Sequence, residues 1–175
     1  MKRIAKPAAG EFPPYASMYI DLLPDDGRVL EHLEANLAAT EKLVASLSEE
    51  QLLHRYAAGK WTIKEVLVHV VDDERIYAYR ALRFARGDAT PLPGFEQDDY
   101  ARLSGADARE IAGIMAEYAA VRRATLALFD GLEEDALTRA GVANGNYVSV
   151  RALAYHIAGH ELHHVNLIRD RYLRS

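Results

Sequence analysis

"GKWTIKEVLVHVVDDERIYAYRALRFARG" (residues 59–87) decides what kind of fold the chain can adopt. Thr62 stands three residues before Glu65, a long run without proline or glycine follows, and Gly87 ends it. A threonine whose hydroxyl accepts from the third helical N–H, with a glutamate reaching back, is a capping box. A glycine just past the last turn is the common helix stop. The spacing predicts a helix over 61–87. At roughly 100° per residue, Thr62, His69, Asp73, Ile76, Arg80 and Phe84 share one face, with Val66 and Val70 beside it. So long an element with an apolar stripe must bury that stripe against other helices.

Periodicity supplies those partners. "RVLEHLEANLAATEKLVASL" predicts a first helix that, with a short extension after a new N-cap at Ser48, covers 28–56. "AREIAGIMAEYAAVRRATLALFDGL" predicts a third over 107–131. "VRALAYHIAGHELHHVNLIRDRYL" predicts a fourth over 149–173, capped by Ser149. No convincing strand is legible, although "NGN" at 144–146 is a turn signal. The expected fold class is all-α, a four-helix bundle. Leu33, Leu37, Val66, Val70, Ile114, Tyr118, Leu153 and Ile157 are its expected core. The connection of about twenty residues between helices 2 and 3 is long enough to run the length of a bundle. Up-down-down-up order with a long crossover is therefore as open as a plain up-and-down bundle. Residues 1–27 are expected to be an N-terminal extension and 28–175 a single bundle domain.

The chain has 175 residues, half of them apolar, which suffices for one domain with a real core. Its net charge of −5 includes no basic block, which excludes a nucleic-acid backbone as partner. Cysteine is absent, and with it disulfides, a thiol nucleophile and thiolate metal ligands. The start lacks the continuous apolar segment of a secretory signal, and no stretch approaches the ~18 apolar residues of a membrane span. A cytoplasmic location with no membrane partner is expected.

Four of the seven histidines fall in "YHIAGHELHHVNLIRDRY" (155–172): His156, His160, His163 and His164. His160 and His164 lie one turn apart inside the apolar stripe formed with Leu153, Ile157, Leu167 and Ile168. Inward-facing imidazoles need hydrogen-bond partners or a metal ion. The i, i+4 spacing suits two ligands of one divalent cation. His69, on the core face of the second helix, completes a three-imidazole set. Zinc is favoured, while nickel, iron and copper accept the same ligand type. Asp73, one turn beyond His69, is a candidate ligand, base or anchor for an imidazole. His156, at the stripe's edge, is a candidate fourth ligand or, better, a donor that supports a ligand; His163 reads as a solvated or interface residue, and His32 and His54 as structural or surface residues. Arg80 is a candidate to hold an anionic substrate group, or else to pair internally with an acid. The competing reading of the whole set is a metal-free core with the histidines hydrogen-bonded in pairs.

"HELHH" (160–164) also matches the H-E-x-x-H pattern of zinc peptidases, which would make Glu161 a general base. The extended pattern needs glycine where Leu167 stands, and too little chain follows His164 to provide a further ligand helix. Glu161 remains a candidate base in other chemistry.

Taken in order, Trp61-Thr62, His69 eight residues after the tryptophan, the acidic pair Asp73-Glu74 and the closing His160-x3-His164 resemble the DinB/YfiT-like superfamily, distinct from the polymerase that shares the DinB name. The resemblance spans the chain from about residue 30 onward. It implies a four-helix bundle, often in up-down-down-up order and often dimeric, and one divalent metal held by His69, His160 and His164. Some members are thiol S-transferases using bacillithiol or mycothiol, and some are maleylpyruvate isomerases. The expected function is thus a metal-dependent enzyme, with zinc or nickel as cofactor, transferring a low-molecular-weight thiol to a small electrophile. The alternatives are a metal-dependent hydrolase and a non-catalytic metal-binding or stress-response module. With no cysteine in the chain, any thiol must come from a cofactor or substrate. The Ala-rich third helix offers a close-packing face, and a homodimer is expected.

Overall fold

A computed structural model describes residues 1–173. The last two residues of the expected domain, 174–175, lie outside the described residues. In chain order the elements are α1 (Ser17–Ile20), α2 (Val29–Val44), α3 (Glu49–Leu52), α4 (Ile63–Ala85), α5 (Gln97–Leu103), α6 (Ile111–Asp130), α7 (Glu134–Thr138), β1 (Ala140–Ala143), β2 (Asn146–Ser149) and α8 (Val150–Leu167). A π turn over Ile168–Tyr172 extends α8.

Four of these, α2, α4, α6 and α8, form the expected four-helix bundle. Helices α4 and α2 each pack between α6 and α8, so the order around the bundle is α2, α6, α4, α8. The capping chemistry that the sequence announces is present. The Thr62 hydroxyl accepts from the Glu65 N–H, and the Glu65 carboxylate accepts from the Thr62 N–H. Ser48 and Gln51 form the same box at α3, and the Ser149 hydroxyl caps α8 at Ala152. At the far end of α4, Gly87 takes φ of 75°. Its N–H donates to Phe84 O and that of Asp88 to Arg83 O. This Schellman closure requires a left-handed residue, which glycine provides without steric cost.

Side-chain pairs fix the helix directions. Along α4 and α8, His69 faces His164, Asp73 faces His160, and Tyr77 stacks on His156, so these two run antiparallel. Asn36 donates to Ala158 O and Thr40 to Glu161, so α2 and α8 run parallel. Thr62 bonds Asp107 at the start of the α4–α6 contact, and Glu74 meets Arg122 further on, so α4 and α6 also run parallel. The connection between them therefore travels the length of the bundle. It is not structureless, because α5 lies within it.

The strandless expectation needs correction. β1 and β2 pair antiparallel, with Ala143 opposite Asn146. Asn144 and Gly145 both have positive φ, 50° and 71°, as a tight two-residue hairpin turn demands. Each strand has four residues, too few for period-2 alternation to register in sequence. The Leu92 N–H donates to Val142 O, and the Asn144 N–H to Leu92 O, both at 2.9 Å. The crossover is thus pinned to the hairpin.

The first 27 residues pack along α8. Ile4 and Ile20 are fully buried in the main core with Leu153, Tyr155 and Ile157. The Tyr155 hydroxyl donates to Ile4 O at 2.9 Å. Glu11 accepts from the Ser149 hydroxyl and from Arg151. Each fully buried aliphatic side chain of this kind stabilises by roughly 1.5–3 kcal/mol. Helix α1 crosses α8 at Gly159, where an added Cβ would lie 2.1 Å from Tyr19 O. Only glycine admits that approach.

Of the expected core residues, Leu33, Val66, Val70, Ile114, Tyr118, Leu153 and Ile157 are buried, and Leu37 is partly buried. No described helix is long and apolar enough to cross a membrane.

Candidate metal centre

His69 lies two turns into α4, and His156, His160 and His164 sit one turn apart on the face of α8 that meets it. Antiparallel packing brings His69 level with the 160/164 pair. His160 Nε2 lies 3.1 Å from both His69 Nε2 and His164 Nε2. The three donor atoms all fall within 4.8 Å of one another. His69 and His160 are buried, and His164 is partly so.

This triad fits a divalent ion. Imidazole nitrogens bound at 2.0–2.1 Å in tetrahedral geometry stand about 3.3–3.4 Å apart, close to the two 3.1 Å spacings about His160. A purely hydrogen-bonded cluster fits less well, because His160 Nε2 would have to serve two neighbours at once. Burial also keeps the imidazoles neutral, which leaves their lone pairs free. Desolvation lowers the pKa of His69, drives that of His160 well below its ordinary value, and brings His164 down to about 3.

Asp73 lies against the triad from behind. Its Oδ2 is 3.4 Å from His160 Nδ1 and 3.6 Å from His156 Nε2. Burial pushes its carboxyl up, but the pull of His160 and the contact with His156 outweigh that and hold it at about 2. Neither approach is a hydrogen bond, since Asp73 Oδ2 and His156 Nε2 are both buried without a hydrogen-bond partner among the described residues, but a negative charge beside Nδ1 favours the tautomer that carries its proton there and presents Nε2 forward. His156 is fixed by stacking on Tyr77, with ring centroids 3.8 Å apart and planes within 5°. Tyr19 meets the rings of His156, His160 and His163 edge-on at 5.0–5.4 Å.

Two hollows reach the triad. One of about 320 Å³ is lined by Tyr15, Tyr19, Asp73, Phe95, His156 and His160. Another of about 240 Å³ is lined by Tyr56, Trp61, Asp98, His164 and Tyr172. Gln97 borders the first and Asp98 the second, so the start of α5 stands between the two.

The structure thus gathers His69, His160, His164, Asp73 and His156 in one place. It does not bring Glu161 there. That carboxylate is fully buried, accepts from Arg122 at 2.8 Å and from Thr40 at 3.3 Å, and lines neither hollow. The peptidase-like role for Glu161 has no geometric basis. Arg80 lies off the triad, over the Tyr77 ring, and donates to Pro93 O. Sequence reasoning missed Tyr15 and Tyr19, because their contacts depend on the N-terminal segment folding over α8. It also missed Arg122, whose signal is a charged residue in register with Ile114, Tyr118 and Phe129 on the inward face of α6.

Fold and site together define a helical-bundle protein built around a buried three-histidine centre. The chain belongs to the DinB superfamily, whose model matches residues 32–168. A protein of Oceanobacillus iheyensis named "putative metal-dependent hydrolase" is 33% identical over 73 residues, 41% of this chain and 42% of that protein. The chain thus spans less than half the length of that relative in the match. A solved structure, YfiT from Bacillus subtilis, is described as "a probable metal-dependent hydrolase with an unusual four-helix bundle topology". It is 19% identical and aligns with a TM-score of 0.67 over 95% of this chain and 93% of its own, a likeness of fold.

Proposed function

We propose that the chain binds one divalent ion, zinc first among the candidates, through His69, His160 and His164, and hydrolyses a small molecule held in the hollow beside His160. The observation that carries this reading is the convergence of three Nε2 atoms whose imidazoles burial keeps neutral, with Asp73 behind His160. When bound, such an ion acts as a Lewis acid and lowers the pKa of a coordinated water toward neutrality. The chain's own residues do the rest. Asp73 orients His160 and adds negative charge next to the centre. His156, stacked on Tyr77, forms a wall of the hollow with its Nε2 near Asp73. Tyr15, Tyr19 and Phe95 shield the hollow from bulk water and offer ring faces to a substrate. The relatives' names point the same way.

Thiol S-transfer would use the same three histidines with a different nucleophile, and experiment separates the two. Protein made without a histidine tag is assayed for metal content. It is then loaded with zinc or nickel and offered chromogenic esters and amides, and separately bacillithiol or mycothiol with a chromogenic electrophile. The expected result is near-stoichiometric metal and hydrolysis that His160→Ala abolishes. Turnover only when a thiol is present would replace hydrolase with transferase. Full metal with no turnover in any assay would leave a non-catalytic metal module. Absence of metal binding would sink both enzymatic readings.

A further inference from the structure

Arg80 is 5% exposed. Among the described residues it makes one hydrogen bond, from Nη2 to Pro93 O at 3.0 Å, and its guanidinium carbon lies 4.8 Å from the Tyr77 ring centroid. The other deeply buried arginine, Arg122, has two carboxylates. Arg80 pairs with none among the described residues. A buried cation without a counter-charge is costly, and chains keep one where something supplies the charge.

The guanidinium borders a small cavity of about 20 Å³, lined also by Phe12, Tyr15, Tyr77, Asn146 and His156. That is room for an occupant little larger than one water. Tyr15, Tyr77 and His156 line both this cavity and the 320 Å³ hollow beside His160. We propose that the Arg80 cavity is a binding site for a compact monoanion, either a free halide or the carboxylate of a ligand whose remainder lies in the adjoining hollow. So small a volume favours compact, planar or monatomic anions over tetrahedral oxyanions. The single guanidinium sets the charge at one, and its planar donors suit a carboxylate's paired oxygens. Asp73 and Arg80 are seven residues apart on α4, an axial distance of about 10 Å. A ligand anchored at Arg80 would present its other end near Asp73 and His160. This placement of a substrate rests on the hydrolase reading; the anion site does not.

The test follows the Arg80 guanidinium nitrogens by NMR in the full chain, with and without chelator. Chloride, formate, acetate and butanoate are titrated at an ionic strength held constant with sulfate. Chloride and formate should shift the Arg80 signals saturably in both preparations, and sulfate alone should not. Parallel titrations of Arg80→Gln, read at the Tyr77 and His156 ring signals, should show affinity at least tenfold weaker. Affinity rising from formate to butanoate identifies a ligand carboxylate, and chloride binding tightest identifies a free halide. No saturable shift of Arg80 in the wild-type chain overturns the site, and so does an Arg80→Gln response equal to wild type. The wild-type reading stands even if the variant fails to fold, and the chelated arm keeps the outcome independent of any metal or turnover.

Discussion

Each imidazole of the triad is kept neutral by burial, and this has a sign that can be checked. An unfolded histidine titrates near pH 6.5, whereas His69, His160 and His164 titrate lower in the fold, His164 at about 3. Between those values the unfolded metal-free chain holds more protons than the folded one. Stability contributed by the triad is complete above pH ~6.5 and falls as pH drops toward 3, by up to ~1.4 kcal/mol per pH unit for each histidine. Urea unfolding in chelator should therefore show a lower midpoint at pH 5 than at pH 7, with a smaller difference in His164→Gln. A midpoint that does not move would contradict neutral burial. Metal occupancy separates the residues in another way. Alanine at 69, 160 or 164 should abolish most bound metal, while alanine at His32 or His54 should leave it intact. Equal occupancy across all five would remove the assignment.

Among the elements, α6 contributes a group that the metal site does not use but that the bundle needs. Arg122 is fully buried. It donates to Glu74 on α4 at 2.8 Å, to Glu161 on α8 at 2.8 Å and to Leu33 O on α2. One guanidinium thus joins all four long helices. Replacing it by methionine would leave two buried carboxylates without a counter-charge, at a cost of about 3–5 kcal/mol. Calorimetry should show a fall in Tm of several degrees or more; an unchanged Tm would mean the carboxylates find other partners. The long elements and the triad were legible because their signals are local: a capping box at Thr62, i, i+4 histidines, and His69 on an apolar face. The rest is set by distant residues. Nothing near Glu161 says that Arg122, 39 positions away, will claim it. Nothing near Tyr19 says that Gly159 will let it approach three imidazoles. The hairpin escaped because its strands are shorter than the period they would have to display, though its Asn-Gly turn was visible.

At the level of the whole molecule, the parallel pair α4 and α6 leaves an open apolar trough of about 520 Å³, lined by Ala78, Tyr79, Leu82, Ala120, Ala124 and Leu128. Tyr79 is 51% and Leu82 38% exposed, and they lie together on one largely apolar surface, the feature that marks an interaction face. We propose that a second copy of the chain covers this face, in keeping with the small residues along α6. Sedimentation at micromolar concentration should give twice the 19.5 kDa monomer mass. Leu82→Glu should return it to monomer without loss of helix content by circular dichroism. Monomer alone for the wild-type chain would overturn the proposal.

The two sides of the histidine triad are separated by 91 positions of chain. His69 is made well before His160, and the two meet only once α8 has docked on α4. The full ligand set exists only where the packed helices hold it, so the packed bundle does the choosing among whatever ions surround it.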